Sequence, residues 1–229
     1  MKNWMYAAAL SLGMAITGPA LAATITFGNT NPNLGNAYPF THHTYVSEYQ
    51  QVYDGSFFSG PSLIDQITFF AGPGVMPGIT GSFTLNFSTT SKSPATLGTA
   101  YASNLGLDNT LFFSGAVSNT LTFTGTPFLF DPSKGNLLLD VLVNTPASAD
   151  TSLIGSCGSD TNRAFTFNGV GPNVGTGTNP NLCSPNSFGL KTQFTFTAVS
   201  VPEPAPLAMF GAGLLGLLGL SSIRGRKPA

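Results

Sequence analysis

Charged side chains are scarce in this sequence, since Asp, Glu, Lys and Arg together make up only 7% of its 229 residues. The formal net charge is −1, which leaves the chain without a basic field to hold nucleic acid. This charge content is also too low for a charged disordered chain, and 42% of the residues are hydrophobic, which is enough for a core. The composition therefore favours a folded protein that binds no nucleic acid.

Histidine is almost absent, and this removes most catalytic and metal-binding arrangements. The only two histidines are the adjacent His42 and His43. Neighbours on a strand point to opposite faces, so they are poor joint ligands for one metal, and zinc usually needs three or four ligands. The sequence also has no G-x-S-x-G elbow to nominate a nucleophilic serine. We therefore expect no catalytic residue, no metal site, no cofactor and no enzymatic activity.

The acidic residues offer no obvious catalytic pair, although glycosidases need two carboxyl groups across a cleft. Residues 23–200 contain eight acidic and four basic residues. The neighbours of Asp131, Asp140, Asp150 and Asp160 predict mainly turn and loop positions for these four. The run Asp160-Thr161-Asn162 begins like a calcium loop, but the residues after it break the pattern. A single structural calcium ion between loops stays open as an alternative.

Long helices are not expected, because the chain contains 27 Gly and 17 Pro. The only helical candidate, residues 96–107, is interrupted by two glycines. Alternating apolar and polar residues instead predict half-buried strands at residues 79–87, 121–123, 164–167 and 193–199.

More continuously apolar runs favour central strands at residues 63–70, 111–113, 128–130 and 137–143. Turn residues separate these segments, including a long Gly/Asn/Pro-rich stretch at 169–181. Together the patterns predict an all-β, antiparallel sandwich or jelly-roll-like ectodomain.

The two cysteines and a set of three tyrosines each have a structural and a functional interpretation. Cys157 and Cys183 are the only cysteines, and in an exported chain they most simply form one disulfide, with a reactive cysteine as the alternative. Tyr45, Tyr49 and Tyr53 recur every four residues. We favour a core position for these rings over a platform that stacks sugars, and keep the platform as the alternative.

The N-terminal residues 1–22 have the pattern of a secretory signal peptide. Lys2 precedes an uncharged apolar stretch, a Gly-Pro pair breaks the helix, and small residues follow in the spacing that signal peptidase requires. The pattern predicts cleavage between Ala22 and Ala23 and therefore export of the chain.

A second apolar segment, residues 206–223, lies near the C-terminus and is followed by Arg224, Arg226 and Lys227. As a helix these residues would span about 27 Å, just short of a hydrocarbon core of about 30 Å. The basic cluster would stay on the cytoplasmic side by the positive-inside rule. We therefore expect a single transmembrane helix with the body of the protein outside the cytoplasmic membrane.

Pro202, Glu203 and Pro204 stand directly before this apolar segment. The order of Pro-Glu-Pro, a Gly/Leu-rich span and a basic end resembles the PEP-CTERM sorting signal of Gram-negative bacteria. In that family a membrane enzyme, exosortase, recognises the Pro-Glu-Pro element and cuts near it. Together with the patterns above, the resemblance predicts three parts: a signal peptide (1–22), a β-sandwich ectodomain (23–200) and a sorting signal (201–229).

Residues 128–141 also resemble a strand–turn–strand element that is frequent in PEP-CTERM cargo domains. An aromatic-Asp-Pro turn is followed there by a Gly-Asn-Leu-Leu-Leu-Asp strand, as it is around Asp131 and Gly135 in this chain. The resemblance implies that the two strands pair within a sandwich.

These observations lead to one functional expectation and two alternatives. We expect an exported, non-enzymatic structural protein of the envelope or of a biofilm's extracellular matrix, associated with exopolysaccharide. Its partners would be the export machinery, exosortase and, through the C-terminal helix, the inner membrane. A carbohydrate-binding sandwich is the first alternative, and an envelope hydrolase that uses Asp or His is the second.

Overall fold

Strands dominate the computed structural model, which describes residues 22–28, 35–36, 38–40, 46–72, 78–148, 152–167, 170–174 and 188–199. The only α-helix among these residues is the single turn α1 (Tyr101–Asn104). The strands are β1 (Ala22–Phe27), β2 (Gly35–Asn36), β3 (Glu48–Tyr53), β4 (Ser62–Phe69), β5 (Ile79–Thr90), β6 (Thr110–Thr120), β7 (Thr122–Phe130), β8 (Asn136–Thr145), β9 (Leu153–Cys157), β10 (Thr161–Phe167), β11 (Val170–Val174), β12 (Phe188–Leu190) and β13 (Thr192–Ala198).

The strands form three sheets in which every described pairing is antiparallel. A four-stranded sheet has the order β1-β13-β4-β7, and a six-stranded sheet has the order β11-β10-β3-β8-β5-β6. A small third sheet has the order β12-β9-β2. The all-β, antiparallel class predicted from the sequence is confirmed.

Aromatic rings from the two large sheets meet in a common core, which makes the fold a sandwich. Phe194 of the four-stranded sheet lies 4.8 Å from Tyr53 and 5.9 Å from Phe87 of the six-stranded sheet, between ring centroids. Phe87 also lies 5.8 Å from Phe128 of the four-stranded sheet. Burial of such large rings between two sheet faces is the main source of stability in this architecture.

The alternating segments fold as predicted. In β5, Phe83, Leu85 and Phe87 are fully buried on one face of the six-stranded sheet, with polar residues between them. Phe194 and Phe196 of β13 are buried in the same way. The apolar run at 137–143 lies in β8, which pairs with β3 on one side and β5 on the other, as expected for a central strand.

The segment at 128–141 departs from the pairing that the resemblance implied. β7 pairs with β4 in the four-stranded sheet, whereas β8 pairs with β3 and β5 in the six-stranded sheet. The connection is thus an arch between the sheets and not a hairpin, because Phe130 and Leu137 both turn into the core from opposite sides. Asp131 starts the turn by accepting from the amide of Ser133, and Gly135 has a φ of +149°.

Two further predictions differ from the structure in detail, and a third agrees with it. Residues 121–123 and 128–130 fall on one strand, β7, plus the residue before it. The stretch predicted as a turn at 169–181 contains β11, which pairs with β10 at the edge of the sheet, where a proline is tolerated. The helical candidate at 96–107 forms only the single turn α1, in agreement with the expectation of no long helix.

The two predicted membrane-related segments fall almost entirely outside the described residues. They are the signal peptide, of which only Ala22 is described, and the C-terminal helix at 206–223, and both stay predictions. Within the part of the chain that the structure describes, no helix is long and apolar enough to cross a membrane.

Candidate functional site

The two ends of the sandwich lie side by side in the four-stranded sheet. β1 pairs with β13 so that Ala22 is opposite Thr197 and Ala23 is opposite Phe196. The predicted signal cleavage site is therefore at the start of β1, next to the end of β13 at Ala198. The residues predicted to form the sorting element lie outside the described residues. They are Pro202, Glu203, Pro204, Arg224, Arg226 and Lys227.

The tyrosines that the sequence offered as a sugar platform lie in the core. Tyr49 and Tyr53 are completely buried, and Tyr45 lies outside the described residues. The core position favoured from the sequence is therefore correct for these two rings. A sugar cannot stack on either of them, so a Tyr49→Ala variant is not a test of carbohydrate binding.

The buried hydroxyl of Tyr53 donates to that of Thr192 at 3.1 Å, and the buried hydroxyl of Tyr49 is satisfied by Gln51. Its Oε1 accepts from the hydroxyl of Tyr49 and from the amide of Leu190, at 2.9 Å in the latter case. Its Nε2 donates to the hydroxyl of Thr161 at 2.9 Å and to the carbonyl of Leu190 at 2.8 Å. Every polar group of Gln51 is thus used, and the network joins β3, β10 and β12.

A long connection covers part of the outer face of the six-stranded sheet. Residues 91–109, which link β5 to β6, pack Leu97 onto Val52 and Leu138 of that face. The hydroxyl of Tyr101 donates to the carbonyl of Glu48 at 3.2 Å. We call this connection the crossover segment.

Two carboxyl groups meet beneath the crossover segment, although no sequence pattern linked them. Glu48 lies on β3 and Asp140 on β8, and the register places Asp140 between Gln50 of β3 and Asn86 of β5. Asp140 is only 5% exposed. It therefore occupies the middle of a strand, and the turn or loop position predicted for it is wrong.

The pair holds a proton at a pH where isolated carboxyl groups do not. Burial, the charge of Asp140 and a hydrogen bond with it raise the pKa of Glu48 to about 7. Burial also raises the pKa of Asp140, and hydrogen bonds with Gln50, Glu48 and Asn86 oppose this rise. A protonated Glu48 that donates to an ionised Asp140 fits these contacts, and burial accounts for the net rise of the Asp140 pKa.

A protonated and an ionised carboxyl group side by side is the arrangement that acid–base chemistry on a glycosidic bond uses. Access limits what this pair can do, because Asp140 is buried and the amide of Asn104 in the crossover segment donates to Gln50 beside it at 2.9 Å. The pair is the strongest candidate for chemistry among the described residues, and its surroundings favour a structural role.

Replacing Glu48 by glutamine should flatten the dependence of stability on pH. The folded-state pKa of about 7 lies above the ordinary value of 4.5, so the folded state binds the proton more tightly. The contribution of Glu48 is complete below pH 4.5 and is lost as the pH rises through 7. Glutamine cannot ionise and its amide still donates to Asp140.

Melting temperatures of the wild type, Glu48→Gln and Thr84→Val across this pH range test the interpretation. Thr84 lies on the same face and does not titrate, so Thr84→Val should keep the wild-type slope. A Glu48→Gln variant that loses stability as steeply as the wild type would contradict it.

The other described acids mostly serve turns, as the sequence predicted for Asp131 and Asp160. The Asp131 carboxylate accepts from the amide and the hydroxyl of Ser133, and these bonds hold its pKa below the ordinary value. Asp160 accepts from the amide of Gly28 at 2.8 Å. Asp150 lies outside the described residues.

The calcium-like run at Asp160 does not converge on one point. The hydroxyl of Thr161 donates to the carbonyl of Val52 within the core, whereas Asn162 donates to the carbonyl of Pro94 in the crossover segment. These two side chains leave β10 on opposite faces, so they do not form one set of ligands. No group of three or more His, Cys, Asp or Glu residues able to hold a metal occurs among the described residues.

The cysteines and histidines can be placed only in part. Cys157 ends β9 opposite Phe188 of β12, and its sulfur is bonded and not a free thiol. Cys183 lies outside the described residues, as do His42 and His43. The pairing of Cys157 with Cys183 stays a prediction.

Comparison with known proteins identifies the C-terminal element. Residues 200–227 match the family described as the PEP-CTERM protein-sorting motif, beginning two residues after the end of β13. The chain therefore carries a PEP-CTERM sorting motif, which implies export, processing by exosortase and association with the envelope.

The family match at residues 200–227 includes none of the strands of the sandwich. No curated protein and no solved structure is similar to this chain.

Proposed function

We propose that this chain is a non-enzymatic structural protein of the cell envelope or extracellular matrix, delivered by exosortase and associated with exopolysaccharide. The observation that carries the proposal is the sorting motif at residues 200–227. Delivery outside the cytoplasmic membrane places the sandwich among envelope polymers, and only 7% of the chain is charged, which gives little electrostatic attraction to ionic partners.

The contacts of the sandwich support a structural role over catalysis. The aromatic rings that could have lined a cleft fill the core, and the buried amide of Gln51 has all of its hydrogen bonds. The crossover segment packs over the carboxyl pair, in which Asp140 is buried and Glu48 is half-buried. The polar groups thus stabilise the fold, and a hydrolase would need an opening above Asp140.

The geometry of the two ends supports the anchoring that the proposal requires. β1 and β13 are adjacent, and the motif starts two residues after Ala198. Because a chain spans at most about 3.4 Å per residue, the four steps from Ala198 to Pro202 can reach no further than roughly 14 Å. The same end of the four-stranded sheet therefore faces the membrane both before and after the signal peptide is removed.

Fractionation in an exosortase-containing Gram-negative host tests the proposed function. The tagged chain should be recovered with the extracellular polymer or the envelope, and deletion of exosortase should shift it to the inner membrane. Recovery in the cytoplasm, or a distribution that exosortase does not change, would overturn the proposal. Hydrolysis of envelope polymer that is lost in Asp140→Asn would favour the hydrolase instead.

A carbohydrate-binding module is the second candidate function. It is favoured by the outer face of the four-stranded sheet, where uncharged Thr and Gln side chains align across the strands.

A further inference from the structure

Threonine and glutamine occupy the outer face of the four-stranded sheet in two complete rows. In each strand these residues flank a side chain that points into the core, as Gln193 and Thr195 flank the buried Phe194. The rows cross all four strands in register and are Thr24–Thr195–Gln66–Thr124 and Thr26–Gln193–Thr68–Thr122. We call these eight side chains the Thr/Gln face.

The side chains of the Thr/Gln face are held in place by one another. The hydroxyls of Thr68 and Thr122 lie 3.0 Å apart, and Gln66 donates to the hydroxyl of Thr124 at 3.2 Å. Gln193 donates to the hydroxyl of Thr26, also at 3.2 Å. Threonine is stiff at χ1, so the face loses little conformational freedom when it binds a partner.

Stability of the fold accounts for only part of so regular a surface, because cross-strand pairs of Thr and Gln stabilise a sheet modestly. The eight side chains are exposed or half-buried and contribute nothing to the aromatic core. Exposed hydrogen bonds between neutral groups add little to stability, because water competes for them. The regular rows therefore need a further explanation. A surface whose polar groups repeat at a regular spacing fits a partner whose own groups repeat, such as a polymer.

The charge of the face selects the partner. None of its eight side chains is charged, and the one charged residue within these four stretches of strand is Asp65, at the bulge beside Gln66. A polyanion would be repelled by that carboxylate, and a polycation would meet only a single counter-charge. Charge complementarity therefore favours an uncharged partner.

The hydroxyl and amide groups of the face indicate that the uncharged partner is a polymer rich in hydroxyl groups. Hydroxyl and amide groups both donate and accept, which matches other hydroxyl groups without a fixed polarity. Strands about 4.8 Å apart and alternate residues about 6.8 Å apart repeat these contacts in two directions. The next row brings Leu63 opposite Leu129, which is 56% exposed, and offers an apolar strip for the C–H face of a sugar ring.

We propose that the Thr/Gln face binds an extended, uncharged polysaccharide along the outer surface of the four-stranded sheet. This inference rests on the proposed function, because it names the polymer class and the surface through which a matrix protein would be retained. It also replaces the buried tyrosines as the carbohydrate contact.

Cosedimentation of the full chain, purified in neutral detergent, with microcrystalline cellulose tests the proposal. Cellulose serves as the uncharged polymer, and alginate and chitosan serve as the charged comparisons. The triple variant Thr24→Val, Thr195→Val, Thr124→Val removes three hydroxyls of one row and keeps the shape and strand preference of the side chains. We expect it to bind cellulose at least about tenfold more weakly, as the loss of several hydrogen bonds implies.

Thr84→Val is the matched control. Thr84 lies on the outer face of the six-stranded sheet, and its hydroxyl is 3.0 Å from that of Ser114, so the change removes a comparable hydroxyl from the other sheet. This variant should bind cellulose like the wild type. Equal melting temperatures of the triple variant and the wild type would show that a loss of binding is not a loss of folding.

Several results would overturn the proposal. They are no binding of the wild type to cellulose, stronger binding to alginate or chitosan, equal binding by the triple variant, and a self-association that the triple variant abolishes. The fractionation experiment separates this failure from that of the proposed function. If the chain is sorted to the matrix but does not bind cellulose, only polysaccharide binding by the Thr/Gln face is refuted. If it binds cellulose but is not sorted, only the matrix role is refuted.

Discussion

Replacing Glu203 by alanine should leave the chain in the inner membrane with its C-terminal segment still attached. Proline residues such as Pro202 and Pro204 favour an extended backbone and are excluded from a helix interior, and Glu203 is the charged side chain between them. A protease that reads this element loses its polar contact when the carboxylate is removed. Replacing Pro202 and Pro204 together should have the same effect, since the backbone could then continue the following apolar helix.

Immunoblots of membrane, envelope and medium fractions measure this effect as the share of uncut chain. Val199→Ala is the control, because Val199 is 39% exposed and its backbone amide still donates to the carbonyl of Pro61 after the change. It should be processed like the wild type. Normal release of the Glu203→Ala chain would show that this carboxylate is not recognised.

Replacing Phe194 by alanine should strongly destabilise the sandwich. Phe194 is fully buried between the sheets, where its ring centroid lies 4.8 Å from that of Tyr53 and 5.9 Å from that of Phe27. Truncation of such a ring leaves a cavity and costs about 3–5 kcal/mol. For a domain of this size we expect the melting temperature to fall by roughly 10 °C or more.

Phe57→Ala is the matched control for this experiment. Phe57 also contacts Phe27, with ring centroids 5.6 Å apart, but it is 55% exposed. Its loss should therefore lower the melting temperature by only a small part of the Phe194 effect. Thermal unfolding followed by circular dichroism measures both variants, and similar losses in the two would contradict the placement of Phe194 at the centre of the core.

Local patterns were sufficient to predict the strand class of this fold and several of its strands. Alternation at residues 79–87 indicated a strand with one apolar face, and in the structure β5 buries that face in the core. The run at 137–143 was apolar on both faces because β8 is covered on one side by the core and on the other by the crossover segment. In both cases the signal lay within a few consecutive residues.

Features that depend on distant pairings could not be predicted in this way. The meeting of Glu48 and Asp140 requires β3 and β8 to be neighbours, and these residues are far apart in the chain. The Thr/Gln face likewise requires four strands in one register, from β1 to β13. β3 itself gave no alternating signal, because Gln51 is buried on one face by its hydrogen bonds and Gln50 on the other by the crossover segment.

The arch at 128–141 shows a related limit. The turn residues were recognised, and Asp131 accepts from Ser133 as such a turn requires. A turn motif does not specify whether the strands on either side pair with each other or enter different sheets. In this fold Phe130 and Leu137 decide it, since both are fully buried and approach the core from opposite sheets.

The intact mass of the mature protein, recovered from the envelope and from the medium, tests the central claim most directly. A chain that begins at Ala23 and ends near Pro202, Glu203 and Pro204 is the result that we predict. It would establish both processing events at the adjacent ends of β1 and β13. A chain that keeps residues 205–229 in the membrane fraction, in a host with active exosortase, would contradict sorting through this motif.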